Sequence, residues 1–444
     1  MPPTTALSLA RRLWLQNLAS VASCWATVPA WAQSATATNG PSDATKNIAT
    51  SAYLTSTTGQ YDQKNRLVIV FLRGAYDGLS ALVPHSDPHY PFLRPNIAIA
   101  APDGTPLTTL PLDATFGLHP AMAALLPLWQ SGVLAAVPAA GSPDPSRSHF
   151  EAQHHWEVGM PGKNSTANGW LNTLAALRGG AGALGVGEAN PLILAGPSAV
   201  QLVPKGQAAT KPGALGDERT RQAVMNLYAG QDKLSQAFRA GAQSRLQTAQ
   251  MLSTEMTDAN APGREMLAAN NGAGPAQGLL LDAQHLGTLM RGDPRLRLGF
   301  LSAGGWDTHA NQGNATGTLA KNLGDLATTL VQLRHDFSQA GDVVMVVSEF
   351  GRTATENGTR GTDHGHGNAM WLMGSKVNGG RWHGRWDGLA QDKLHEGRDL
   401  PVHHDFRGVF AQVLRHTQGL TMAELGQLFP GFAWDSALDA LMRS

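Results

Sequence analysis

A run of five apolar, mostly β-branched residues, Val343–Val347, constrains this chain more than any other stretch. It shows no polar alternation, so it reads as a strand buried on both faces, the kind found in parallel sheets. Leu319, Leu323, Leu326, Leu330, Leu333 and Phe337 recur before it at helical spacing, and Leu298–Leu301 forms an earlier apolar strand. Strand, helix, strand is the βαβ unit of a parallel sheet, which predicts an α/β fold. The run stops at Ser348-Glu349-Phe350-Gly351-Arg352. That ending delivers the Glu349 carboxylate to the sheet's carboxyl edge, where α/β proteins keep their chemistry.

Other strand exits carry similar groups. The segment Gly361-Thr362-Asp363-His364-Gly365-His366-Gly367 follows Glu349 and holds two imidazoles and a carboxylate. Such a set suits a divalent metal with N and O ligands, although a polar glycine-rich surface loop reads the same way. Arg66–Leu72 predicts a second buried strand, leading to Asp77 in an Asp-Gly step that is also a common turn signal. A short apolar strand, 133–137, leads to Ser146-Arg147-Ser148-His149, a candidate nucleophile, anion clamp and proton donor. Ser148 with Glu151 three residues on also forms a capping box, and both roles can coexist at a helix N-terminus. The strand 298–301 leads to Asp307-Thr308-His309, whose alternate side chains share one face of an extended segment. His404 is a weaker ligand candidate, because a helix cap by Asp405 explains its segment as well.

Composition narrows the function. The chain has 444 residues with 33 Lys+Arg against 33 Asp+Glu, so it lacks the basic excess of a nucleic-acid binder. Cys24 is the single cysteine, which excludes an internal disulfide and a thiolate metal site. Residues 1–32 read as a twin-arginine signal, with Arg11-Arg12, an apolar segment too short to span a membrane, and Ala30-Trp31-Ala32 before the cut. The protein is therefore expected in the periplasm or secreted, handled by the twin-arginine export machinery; a lipid anchor on Cys24 is the alternative. Residues 33–62 read as a flexible mature N-terminus and 63–444 as the folded domain, with a helical insertion over about 216–290. A helix from His119 to about Gln130, kinked or ended by Pro127, and a strand over 192–195 complete the reading. No Walker or dinucleotide fingerprint is present in the sequence.

The strand exits resemble, in order, the ligands of the alkaline phosphatase and sulfatase superfamily. More closely, RGAYDGLSALVP, SRSHFEAQ, GGWDTH, VVSEFGRT and GTDHGHG are similar to the exported domain-of-unknown-function family 1501, classed as sulfatase-like. The resemblance covers nearly all of the mature chain. It implies an alkaline phosphatase-like sandwich and a metal-dependent hydrolase of phosphate or sulfate esters, small or polymer-linked. It implies one or two divalent ions (Zn, Mn, Mg or Ca), with Asp307, His309 and His364 at one and Asp77, Glu349 and the nucleophile hydroxyl at the other. Phe350 stands where the superfamily places a second-metal His, which implies either a weakly held second ion or recruitment of His366 or Asp363 in its place. Ser148 is the expected nucleophile, Ser146 the runner-up, and Arg147 or Arg352 the anion clamp. A non-catalytic metal- or anion-binding protein is the alternative; a metal-free Ser hydrolase ranks lower, for want of a G-x-S-x-G elbow.

Overall fold

A computed structural model describes residues 65–162, 168–253 and 270–443. The expected signal over 1–32, Cys24 and the 33–62 segment lie outside the described residues. The chain divides into a large unit, residues 60–211 with 248–444, and a small one whose described part is 212–247.

The large unit is built around one large sheet, with a second, three-stranded sheet formed by Leu82–Val83, Leu110–Pro111 and Gly117–Leu118. The main strands of the large sheet are β1 (Leu67–Leu72), β2 (Leu134–Gly141), β3 (Gly182–Gly187), β4 (Val200–Pro204), β5 (Leu296–Gly304), β6 (Val343–Val347) and β7 (Asn368–Gly374). They lie in the order β2-β7-β6-β1-β5-β3-β4. Only β7 runs antiparallel to its neighbours, β6 and β2. The remaining pairs are parallel, with β1 between β6 and β5 at the centre. This is the α/β architecture with a mostly parallel sheet flanked by helices.

The alternation of β1 shows why such strands read as unbroken apolar runs. Val68, Val70 and Leu72 join one hydrophobic cluster, and Leu67, Ile69 and Phe71 join the other, on the opposite face. Helices α3 (Leu279–Gly292) and α4 (Thr318–Asp336) pack their leucines into the first cluster. Helices α2 (Trp170–Leu177) and α5 (Phe406–Gln418) cover the second. A buried leucine or valine in either layer contributes about 1.5–3 kcal/mol, so both faces of the sheet's centre are stabilised by burial.

Three local expectations change. Residues 192–194 form a 3-10 turn instead of a strand, and the strands of that region are β3 and β4. Glycine hides β3: a Cβ at Gly185 would stand 2.8 Å from Leu194 Cδ1, so the missing side chain makes room for a neighbour's. The helix expected from His119 begins as a 3-10 segment, Pro120–Leu125, and continues as Leu126–Gln130 with Pro127 in its first turn, where no N–H is needed. The 216–290 segment is not uniform either. Glu218–Leu227 and much of Lys233–Ser253 belong to the small unit, whereas α3 belongs to the large unit's core. Among the described residues no helix is long and apolar enough to cross a membrane.

Candidate metal centre

Parallel strands end at one edge, and the chain's polar clusters follow from that. β1 exits through Arg73-Gly74, β5 through Trp306-Asp307, and β6 through Ser348-Glu349. β2 exits toward helix α1 (His149–Val158). Because β7 runs the other way, the segment entering it, with His364, arrives at that same edge. The exits crowd: Gly74 holds φ +110°, and a Cβ there would meet the Asp307 backbone nitrogen at 2.9 Å.

His149, Asp307 and His364 each offer one ligand atom, all within 4.8 Å of one another. The Oδ1 atom of Asp307 is 3.6 Å from His149 Nε2, 3.2 Å from His364 Nε2 and 2.9 Å from His309 Nε2. The Nε2 atoms of His309 and His364 are 3.0 Å apart. Each imidazole is held through its other nitrogen: His149 Nδ1 by Glu349 Oε1 at 2.7 Å, His364 Nδ1 by the Arg147 carbonyl at 2.9 Å, His309 Nδ1 by Asp363 Oδ1 at 3.2 Å. Carbonyl and carboxylate oxygens accept, so each Nδ1 carries a proton and each Nε2 turns inward. His149 Nε2 is buried and has no hydrogen-bond partner. Nε2 atoms turned on one carboxylate in this way share protons with it and, on losing them, can take a cation in their place, so this donor set fits a divalent metal.

The electrostatics agree. Burial would raise the pKa of Asp307, but the neighbouring His149 and His364 imidazoles and the Arg352 guanidinium hold it well below the usual carboxylate range. Burial would likewise raise Glu349, yet the His149 hydrogen bond and charge, with the Gln153 amide, keep it at about 2. Burial would lower His149, but the carboxylates of Asp307 and Glu349 raise it to about 9. Phe350 forms an apolar wall, its ring stacked 5.0 Å from that of His149 and tilted 5.2 Å from that of His364.

The other candidates are placed differently. Asp77 is buried and paired with Arg94, at 2.6 and 3.0 Å, and also accepts from Ser80 and Gln312; it does not join the cluster. Glu349 stands behind His149 and not among the inward-facing atoms. Arg352 is buried, donating to the carbonyls of Gly74, Ala75 and Thr362 and to Asp307 at 2.5 Å. Arg147 is bound to Glu396 and Asp399, both at 2.7 Å. His366 packs against His395, ring centroids 4.6 Å apart, and burial with the His395 charge lowers it to about 4. His404 is bound between Asp435 and the Arg385 N–H, while Asp405 caps α5.

Ser148 is the N-cap of α1 but its side chain makes no cap bond, so the expected capping box is absent. Ser146 takes Glu151 instead, donating to it at 2.7 Å. Ser148 is exposed. Gln153 and Arg73, behind Glu349, were not singled out from the sequence. The i, i+4 spacing of His149 and Gln153 on one helix was the signal for the first.

Fold and site together define an α/β protein with a His-and-carboxylate cluster at the carboxyl edge of its sheet. The chain belongs to the family described as "Protein of unknown function (DUF1501)", whose model matches residues 114–428. No curated protein sequence matches the chain. Similar solved structures include the alkaline phosphatase of the Antarctic bacterium TAB5, at 12% identity, TM-score 0.35, covering 81% of this chain and 99% of that one. They also include the PsFucS1 sulfatase of Pseudoalteromonas sp., at 12% identity, TM-score 0.38, covering 86% and 74%.

Proposed function

We propose that this protein is an exported metal-dependent hydrolase of phosphate or sulfate esters. In this reading His149, Asp307, His309 and His364 hold one divalent ion. One observation carries it: three imidazole Nε2 atoms gather about one carboxylate while an acceptor holds each Nδ1. An imidazole-rich set suits Zn better than Mn, Mg or Ca, which favour oxygen ligands. A divalent ion supplies Lewis acidity toward the oxygens of an anionic ester.

The chain's own groups divide the remaining work. Ser148, exposed and not engaged as a helix cap, is the nucleophile; Ser146 is the runner-up because its hydroxyl is given to Glu151. The positive end of α1 favours negative charge beside Ser148. Glu349 orients His149, and Arg352 keeps Asp307 ionised and in place. The substrate is a small or polymer-linked anionic ester, met in the periplasm or outside the cell after twin-arginine export.

A second reading is a metal-binding protein without turnover. It is favoured by the engagement of Asp77, Arg147 and Arg352, the groups available for a second ion or an anion clamp, with other partners. A screen of the metal-loaded, export-matured protein against phosphate and sulfate esters separates the two. Turnover lost in Ser148→Ala supports the hydrolase, whereas tight metal binding without turnover supports the binding protein. Activity that survives chelation and dialysis removes the metal from the chemistry altogether.

A further inference from the structure

Behind Glu349 lies a buried chain of polar side chains, Gln153, Arg73, Glu157 and Glu188, to which the proposed chemistry assigns no part. Arg73 is fully buried and clamped by Glu157 and Glu188. Its Nη1 donates to Gln153 Oε1 at 2.9 Å, and Gln153 Nε2 donates to Glu349 Oε1 at 2.9 Å. The same Oε1 accepts from the Gly74 N–H at 2.8 Å and faces His149 Nδ1. His149, Gln153 and Glu157 follow one another at four-residue steps, so one stripe of α1 supplies three members.

We infer that Gln153, with its amide locked by Arg73, is a positioning residue that fixes the tautomer of His149 for metal binding. An amide can flip, and its two ends differ: one only accepts and the other only donates. Arginine has donors alone, so the Gln153 carbonyl must face Arg73 and its NH2 must face Glu349. Glu349 is thereby held as a pure acceptor, His149 carries its proton on Nδ1, and Nε2 presents its lone pair to the cluster. The order is one-directional: guanidinium to amide to carboxylate, with the imidazole fixed at the far end. Groups behind a metal's own ligands typically alter affinity about 10- to 100-fold. This inference rests on the metal reading given above.

The test is Co2+ binding by the purified full-length protein, measured by chelator competition and by the visible spectrum of the bound ion. Gln153→Leu removes both ends of the amide. Gln153→Glu keeps its size and its acceptor toward Arg73 but turns an acceptor on Glu349. Asn172→Leu is the control for general loss of stability, since it removes a buried bond to Leu194 and a half-buried one to Ser198, neither of which belongs to the cluster. Thermal midpoints of the metal-free proteins are recorded for all.

Both Gln153 variants are expected to bind Co2+ about 10- to 100-fold more weakly with an altered spectrum. Asn172→Leu is expected to lose thermal stability and bind as wild type does. Should Gln153→Leu not fold, the same-sized Gln153→Glu decides alone. Wild-type affinity and spectrum in the Gln153 variants would overturn the relay and leave the metal site standing. Failure of the wild type itself to bind Co2+ would overturn the metal reading, and the relay with it.

Discussion

Glu349 Oε1 and His149 Nδ1 lie 2.7 Å apart in a buried contact between residues 200 positions apart in sequence. The carboxylate ends a central strand and the imidazole opens a helix, so the bond ties the sheet to α1. Replacing Glu349 with Ala leaves the Gln153 amide, the Gly74 N–H and the His149 imidazole without their acceptor. Each stranded buried group costs about 1–3 kcal/mol. Denaturant unfolding of the metal-free variant should show a loss of several kcal/mol. Glu349→Gln, which retains an acceptor, should lose less stability but still bind metal about 10- to 100-fold more weakly.

Asp77 is predicted to matter for folding and not for metal content. With Asp77→Asn, Arg94 keeps its charge at a site with no exposure and loses its carboxylate. Breaking a buried pair from one side costs about 3–5 kcal/mol. Urea unfolding should show that loss, while elemental analysis of the folded fraction should give an unchanged metal-to-protein ratio. A ratio that falls with Asp77→Asn would place Asp77 at an ion.

Asp282, in the first turn of α3, sets a pH dependence of its own. Burial raises its carboxyl to about 7 despite the Gly206 N–H and the nearby Lys205 charge. Unfolded, an aspartate titrates near 3.9, so between about 4 and 7 the folded chain holds this proton more tightly. Stability contributed by the neutral form is therefore present below about 4, falls as pH rises through 7, and stays lost above it. Asp282→Asn, which can still accept from Gly206, should be more stable than wild type at pH 8 by up to about 4 kcal/mol. The difference should vanish near pH 4. Thermal melts of both proteins across that range check it.

The serines separate in activity. Ser148→Ala should reduce ester turnover by about a thousandfold or more if that hydroxyl is the nucleophile, with metal affinity unchanged. Ser146→Ala should cost only the exposed bond to Glu151, about 1 kcal/mol or less, and keep its turnover. Steady-state kinetics on one ester with both variants decides between them.

The sequence was most legible where a single strand or a short loop carries the information. β1 and β6 are unbroken apolar runs, and their burial on both faces follows from that pattern. Asp307 and His309 stand two apart on an extended exit, and Asp363 and His364 adjoin in a glycine-rich loop; the structure gathers all four. Pairings between distant segments were not legible. Nothing local to Asp77 indicates that Arg94 folds back onto it, and nothing near His149 indicates that Glu349 and Asp307 converge on its two nitrogens. Glycines that mark close packing, such as Gly185, read as loop and concealed β3.

Metal content decides whether His149, Asp307, His309 and His364 hold an ion. Purified wild type and His364→Ala are reconstituted with Zn2+ or Mn2+, passed over a desalting column and measured by elemental analysis. The account predicts one equivalent of divalent metal in wild type and a large loss in His364→Ala, whose fold is checked by circular dichroism. A folded wild-type protein that retains no metal after reconstitution would contradict it.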